Sequence, residues 1–115
     1  MKIKIRKKPR NFLVNVGDKK IQLKDTAKKI LKKNEQDTFK YLNSEYDVAK
    51  KDWGYYATPS INGRLKKFGF RTFLIKNKIK KFYIFLVHKN KIKSFKKYCK
   101  DDNQKIVVEL TNGIK

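Results

Sequence analysis

The chain has 115 residues, 32 Lys and Arg against 10 Asp and Glu, and a formal net charge of +22. Its length suits one domain with a core and excludes two independent ones, while 39% hydrophobic and 13% aromatic residues argue against wholesale disorder. With one Cys and one His, a disulfide scaffold, a zinc site of standard spacing and a catalytic histidine pair are all excluded.

The first residues, Lys2 to Ile5, alternate charge and Ile with the period of a strand before Arg6-Lys7-Lys8-Pro9-Arg10 breaks the pattern. Residues 1–10 are therefore expected to be a basic arm or an edge strand. Phe12 to Val16 and Ile21 to Leu23, separated by Gly17-Asp18-Lys19-Lys20, read as a β-hairpin. Asp25 is placed to cap a helix carrying Ala27, Ile30 and Leu31, with Lys28, Lys29, Lys32 and Lys33 on its solvated side. A second helical pattern follows from Asp37, because Phe39, Leu42, Tyr46 and Ala49 recur at spacings of three and four.

The stretch Asp52 to Arg71 concentrates the chemistry. Thr58, Pro59 and Gly69 are the cap, first-turn and closing residues of a helix expected over 59–68, with Ile61, Leu65 and Phe68 on its apolar face. Residues 54–57 are expected to be a connector. Beyond Gly69, Phe70 to Lys76 and Phe82 to Val87 read as strands joined around Asn77-Lys78, and the second is apolar on both faces, as a central strand is. A helix starting near Asn90 turns Ile92, Phe95 and Cys99 inward and stops at Asp101-Asp102-Asn103. Lys105 to Leu110 is a final strand and residues 111–115 a tail.

These elements make residues 1–115 a single α+β domain with a mixed or antiparallel sheet and helices packed on it. If an N-terminal strand joins the C-terminal ones, the order becomes the ferredoxin-like βαββαβ, beside an N-terminal hairpin. The longest apolar run, Phe82 to Val87, is far too short to span a bilayer, and Lys2 to Arg6 lacks the apolar core of a signal peptide. A cytoplasmic protein is expected.

So large an excess of cations opposes compaction and points to an anionic partner. Nucleic acid is the first expectation, RNA or a ribonucleoprotein ahead of DNA, held through point-charge lysines with little base reading. Arg64, Lys66, Lys67 and Arg71 form the expected patch, and Lys7, Lys8 and Arg10 add backbone contacts. Arg64 and Arg71 stand out among 28 lysines and four arginines, since a guanidinium grips phosphate bidentately. The competing expectation pairs them with Asp47 or Asp52. Trp53, Tyr55 and Tyr56 are candidates to stack unpaired bases; against this, Trp53 is expected to be buried, and in an extended segment Tyr55 and Tyr56 point apart.

Lys66 to Phe73, Lys-Lys-Phe-Gly-Phe-Arg-Thr-Phe, resembles the aromatic octapeptide of RNA-recognition-motif domains, with Lys67 and Arg71 departing from its Gly and Val. The resemblance covers eight residues; it implies base-stacking rings on a central strand, whereas here Phe68 ends a helix and Phe70 begins a strand. No family follows from it. No metal, cofactor or catalytic residue is assigned: His88 and Cys99 are expected to be structural. Two alternatives are an accessory domain docking on an acidic protein and a metal-independent ribonuclease or toxin using Tyr, Arg, Lys and His88.

Overall fold

In the computed structural model, residues 2–16 and 19–114 are described, with the backbone alone for residues 2–10, 12 and 16. The described chain is α+β, built from three antiparallel sheets and little helix. β1 (Lys2–Val16) pairs with β2 (Lys19–Ile30); β3 (Gln36–Tyr41), β4 (Ser44–Lys51) and β5 (Gly54–Ala57) form the middle sheet. After α1 (Arg64–Lys67), β6 (Phe70–Lys76), β7 (Phe82–His88), α2 (Ile92–Asp101) and β8 (Lys105–Glu109) form the C-terminal layer.

The expected hairpin exists but is far longer than its apolar core suggested. Pairing runs from Val16 opposite Lys19 to Lys2 opposite Ile30, interrupted between Ile5 and Arg10, where Pro9 has no N–H to give the ladder. The alternating Lys-Ile arm recruits residues 27–30 as its partner, with Ile5 opposite Ala27, and Asp25 lies opposite Arg10. The helix expected from Asp25 is therefore strand. The expected turn residues Gly17 and Asp18, like the last tail residue Lys115, lie outside the described residues.

The helix expected from Asp37 is also strand. Phe39, Leu42, Tyr46 and Ala49 match a helical stripe, yet the same stretch alternates with period two, and Thr38, Val48 and its rings favour a pleated surface. A two-residue turn at Leu42-Asn43 joins β3 to β4, placing Phe39 opposite Tyr46, and the Ser44 hydroxyl donates to the Tyr41 carbonyl at 2.7 Å. Residues 54–57 pair with β4 as β5 rather than forming a plain connector, with Tyr55 opposite Lys50 and Tyr56 opposite Ala49.

The helix expected over 59–68 shrinks to α1. Thr58 cannot cap it: its N–H donates to the Asp47 carbonyl at 3.1 Å, and its hydroxyl accepts from Arg64 at 3.0 Å. Ser60 gathers the first turn instead, its carbonyl accepting from Gly63 and Leu65 and its hydroxyl from the Arg64 N–H. Gly69 closes the helix as expected, at φ +87°.

In the C-terminal layer the strand order is β7-β6-β8. β6, not β7, is central, which corrects the expectation for Phe82–Val87. Phe73 and Ile75 on one face of β6 pack with Val87, Phe95 and Cys99 into the core, joined by Phe85, Ile92, Tyr98 and Ile106. α2 covers that face only. On β7 the rings and side chains of Phe82, Tyr83 and Ile84 stay exposed, because the strand is an edge. The ferredoxin-like order needs an N-terminal strand in this sheet, and the described strands before α1 pair only with one another.

Candidate nucleic-acid interface

Both arginines of the expected patch are used inside the fold. Arg64 Nη2 lies 2.7 Å from Asp47 Oδ2, whose side chain is only 4% exposed. This is the Asp47 pairing weighed against phosphate binding. Arg71 grips Glu109 bidentately, Nε at 2.8 Å and Nη2 at 2.6 Å, and its guanidinium lies 5.4 Å from the Phe73 ring. No local signal marks this pair, since its members are separated by most of the C-terminal layer. Lys66 donates to Asn112 at 2.6 Å, and Lys67 is exposed. Lys7, Lys8 and Arg10 are in β1, but their side chains lie outside the described residues.

The Arg71 bond, with lesser help from the Thr111 hydroxyl and nearby Lys96, holds the Glu109 carboxyl at about 2 against an ordinary 4.5. The folded value lies below the unfolded one. Ionised Glu109 therefore stabilises the fold above about pH 4.5, and the contribution drains away as pH falls towards 2. The pair is about one-third exposed, so solvent screening leaves about 1 kcal/mol of it. Glu109→Gln should accordingly flatten the acid limb of stability against pH between those values, measured by urea unfolding. An acid limb identical to that of the native chain is the contrary result.

Trp53 is not buried. It sits in the turn between β4 and β5 at 73% exposure, because the hairpin turns it out of the register that a helix continuing from Tyr46 and Ala49 implied. Tyr55 and Tyr56 are exposed on opposite faces of β5, so the three rings do not form one platform. Lys50 Nζ lies 5.4 Å over the Tyr55 ring.

Two features escaped the sequence reading. On α2, Lys93, Lys96, Lys97 and Lys100 fall at i, i+3, i+4 and i+7 and are all exposed, continuing a run begun by exposed Lys89 and Lys91. The inward residues Phe95 and Cys99 identified the helix, and the complementary lysine stripe was legible from the same spacing. The second feature is the face of β3 carrying Phe39 and Tyr41, hidden by the helical interpretation of that stretch.

His88 ends β7 between two rings, its centroid 5.7 Å from Tyr41 and 4.7 Å from Phe70. Cys99 is buried; burial pushes its thiol up, and nearby Asp102 adds to this. In the octapeptide Lys66 to Phe73, the Phe73 ring lies in the core 5.2 Å from Phe95, out of reach of a base. Among the described residues no three His, Cys, Asp or Glu side chains converge as metal ligands do, and no helix is long and apolar enough to cross a membrane. The chain matches no protein family, no curated protein and no solved structure in the comparisons made.

Proposed function

We propose that this is a nucleic-acid-binding domain of the cytoplasm, acting on RNA or within a ribonucleoprotein and held chiefly by lysine–phosphate attraction. The observation that carries the proposal is the exposed lysine stripe of α2. Like charges at i and i+4 destabilise a helix by about 0.2–0.5 kcal/mol per pair, and Lys93–Lys97 and Lys96–Lys100 are two such pairs. Packing of Phe95 and Cys99 holds the helix against that repulsion, and an anion along the stripe relieves it. The excess is also beyond internal repair: even if all 10 acidic residues paired, 32 − 10 leaves 22 cations.

Lys66, which lines a cavity with Lys89, and exposed Lys67 remain in the proposed interface, while Arg64 and Arg71 serve the fold. The lysine contacts carry charge without geometry, so binding is steeply salt-dependent and weakly selective for sequence. The test is fluorescence anisotropy with single-stranded RNA, duplex DNA and heparin over a salt series. Tight, salt-sensitive binding to the nucleic acids supports the proposal. No binding to any of the three, with capture of one acidic protein, transfers the surface to protein docking. Cleavage of the RNA lost on His88→Ala identifies a ribonuclease instead.

A further inference from the structure

We infer that one face of the middle sheet is a stacking surface for unpaired bases, an inference that rests on the nucleic-acid proposal above and specifies its ligand as single-stranded. In β3, residues two apart share a face about 7 Å apart, which puts Phe39 and Tyr41 together. The register sets Tyr46 beside Phe39 and Tyr55 beside Lys50 on that same face. Phe39, Tyr41 and Tyr55 are 58%, 66% and 68% exposed. The opposite face holds Asp47 and Ala49, which are buried, and Asp47 is tied to Arg64. That face is anchored in the fold at these two residues and shows one exposed ring, Tyr56 beside Ala49, whereas the face of Phe39, Tyr41 and Tyr55 presents three rings to water.

The ends of this face are shaped for a charged chain carrying flat groups. At one end Ala27, Lys29 and Leu31 wall a groove of about 280 Å³ against Asp37, Phe39, Val48 and Tyr55. Lys29 is paired there with Asp37 at 2.5 Å, so the cation that faces a ligand is Lys50, over the Tyr55 ring. At the other, Tyr41 meets His88 in a cleft of about 670 Å³ that Lys89 and Lys91 also line. Those two lysines begin the run that continues along α2, so bases on the sheet and phosphates along the lysines are contiguous. Charge selects the occupant. A second copy of a +22 chain is repelled, whereas a single strand supplies both anions and exposed π-faces, and a duplex hides its bases.

The test compares Phe39→Leu, which keeps apolar bulk but removes the ring, with Tyr55→Ser at a more exposed site. Binding is read by anisotropy with a labelled RNA single strand of about 12 nucleotides, a duplex of the same length and heparin. Thermal unfolding checks that each variant is folded, and Trp53 emission in the native chain gives a second readout, expected to fall on adding the single strand. Each substitution should weaken single-strand binding by about 5- to 100-fold and leave duplex and heparin binding unchanged. Equal loss on all three ligands, or no loss on the single strand, overturns the stacking surface while lysine-driven binding stands. Failure of the native chain to bind any of them overturns the underlying proposal. Polyglutamate bound as tightly as the single strand, and weakened equally by both variants, assigns the face to an acidic partner.

Discussion

Arg64→Ala is expected to lower the stability of the fold by about 2 kcal/mol, between the values for buried and exposed pairs, because it leaves a buried carboxylate without a counter-charge that is itself 45% exposed. Asp47 is 4% exposed at its side chain and lies 2.7 Å from Arg64, with the Thr58 hydroxyl 3.4 Å from the same oxygen. Thr58 is too distant to replace a guanidinium. A chain of this length has a total stability of about 6–17 kcal/mol at typical values per residue, so the loss is a sizeable fraction and should lower the midpoint of thermal unfolding by roughly 8 °C, at roughly 4 °C per kcal/mol.

The companion variant separates this account from generic damage. In Asp47→Asn/Arg64→Ala the buried carboxylate is gone, the amide can still accept from Thr58, and most of the lost stability should return. If the double variant is as unstable as the sum of its singles, the buried pair is not the cause. The folded fraction of Arg64→Ala should also bind nucleic acid with an unchanged salt slope. A phosphate-gripping Arg64 would instead take roughly 0.7–0.9 off that slope.

This contrast shows what the residues disclosed on their own. The scarcity of arginine drew attention to Arg64 and Arg71, of which Arg71 uses its planar fork, and the Asp47 partner of Arg64 was within view. Glu109 was not, because nothing local ties it to Arg71 and only the β6–β8 pairing brings them together. The C-terminal half was legible because its signals agree: Phe95 and Cys99 share a helical face, and Asn77 offers a turn between two apolar runs. Asn77 uses that turn fully, its side-chain oxygen accepting from the N–H groups of Ile79 and Lys81.

The N-terminal half misled because its apolar residues fit two periods at once. Phe39, Leu42 and Tyr46 satisfy helical spacing, while Asp37, Phe39 and Tyr41 alternate as in a strand. The deciding factor was tertiary: β4 needs partners on both sides, and Leu42 accepts φ 53° to let the chain turn back. The same conflict concealed the aromatic face, since rings counted towards a helix core could not also be counted towards a sheet surface. Lysine spacing on α2 had no such conflict.

Salt should act on this protein more strongly than any single substitution. If four to six phosphates are met by the run from Lys89 to Lys100, single-strand affinity falls with log salt at a slope of about −3 to −4, or about 100-fold from 50 to 200 mM. Lys93→Gln/Lys97→Gln removes two of these contacts and should bring the slope up by about 1.4. The same pair of changes abolishes a like-charge i,i+4 repulsion, so the variant should be at least as stable as the native chain. Weaker binding by a more stable protein cannot be blamed on unfolding. An unchanged slope in this variant would remove α2 from the interface, whatever the affinity of the native chain.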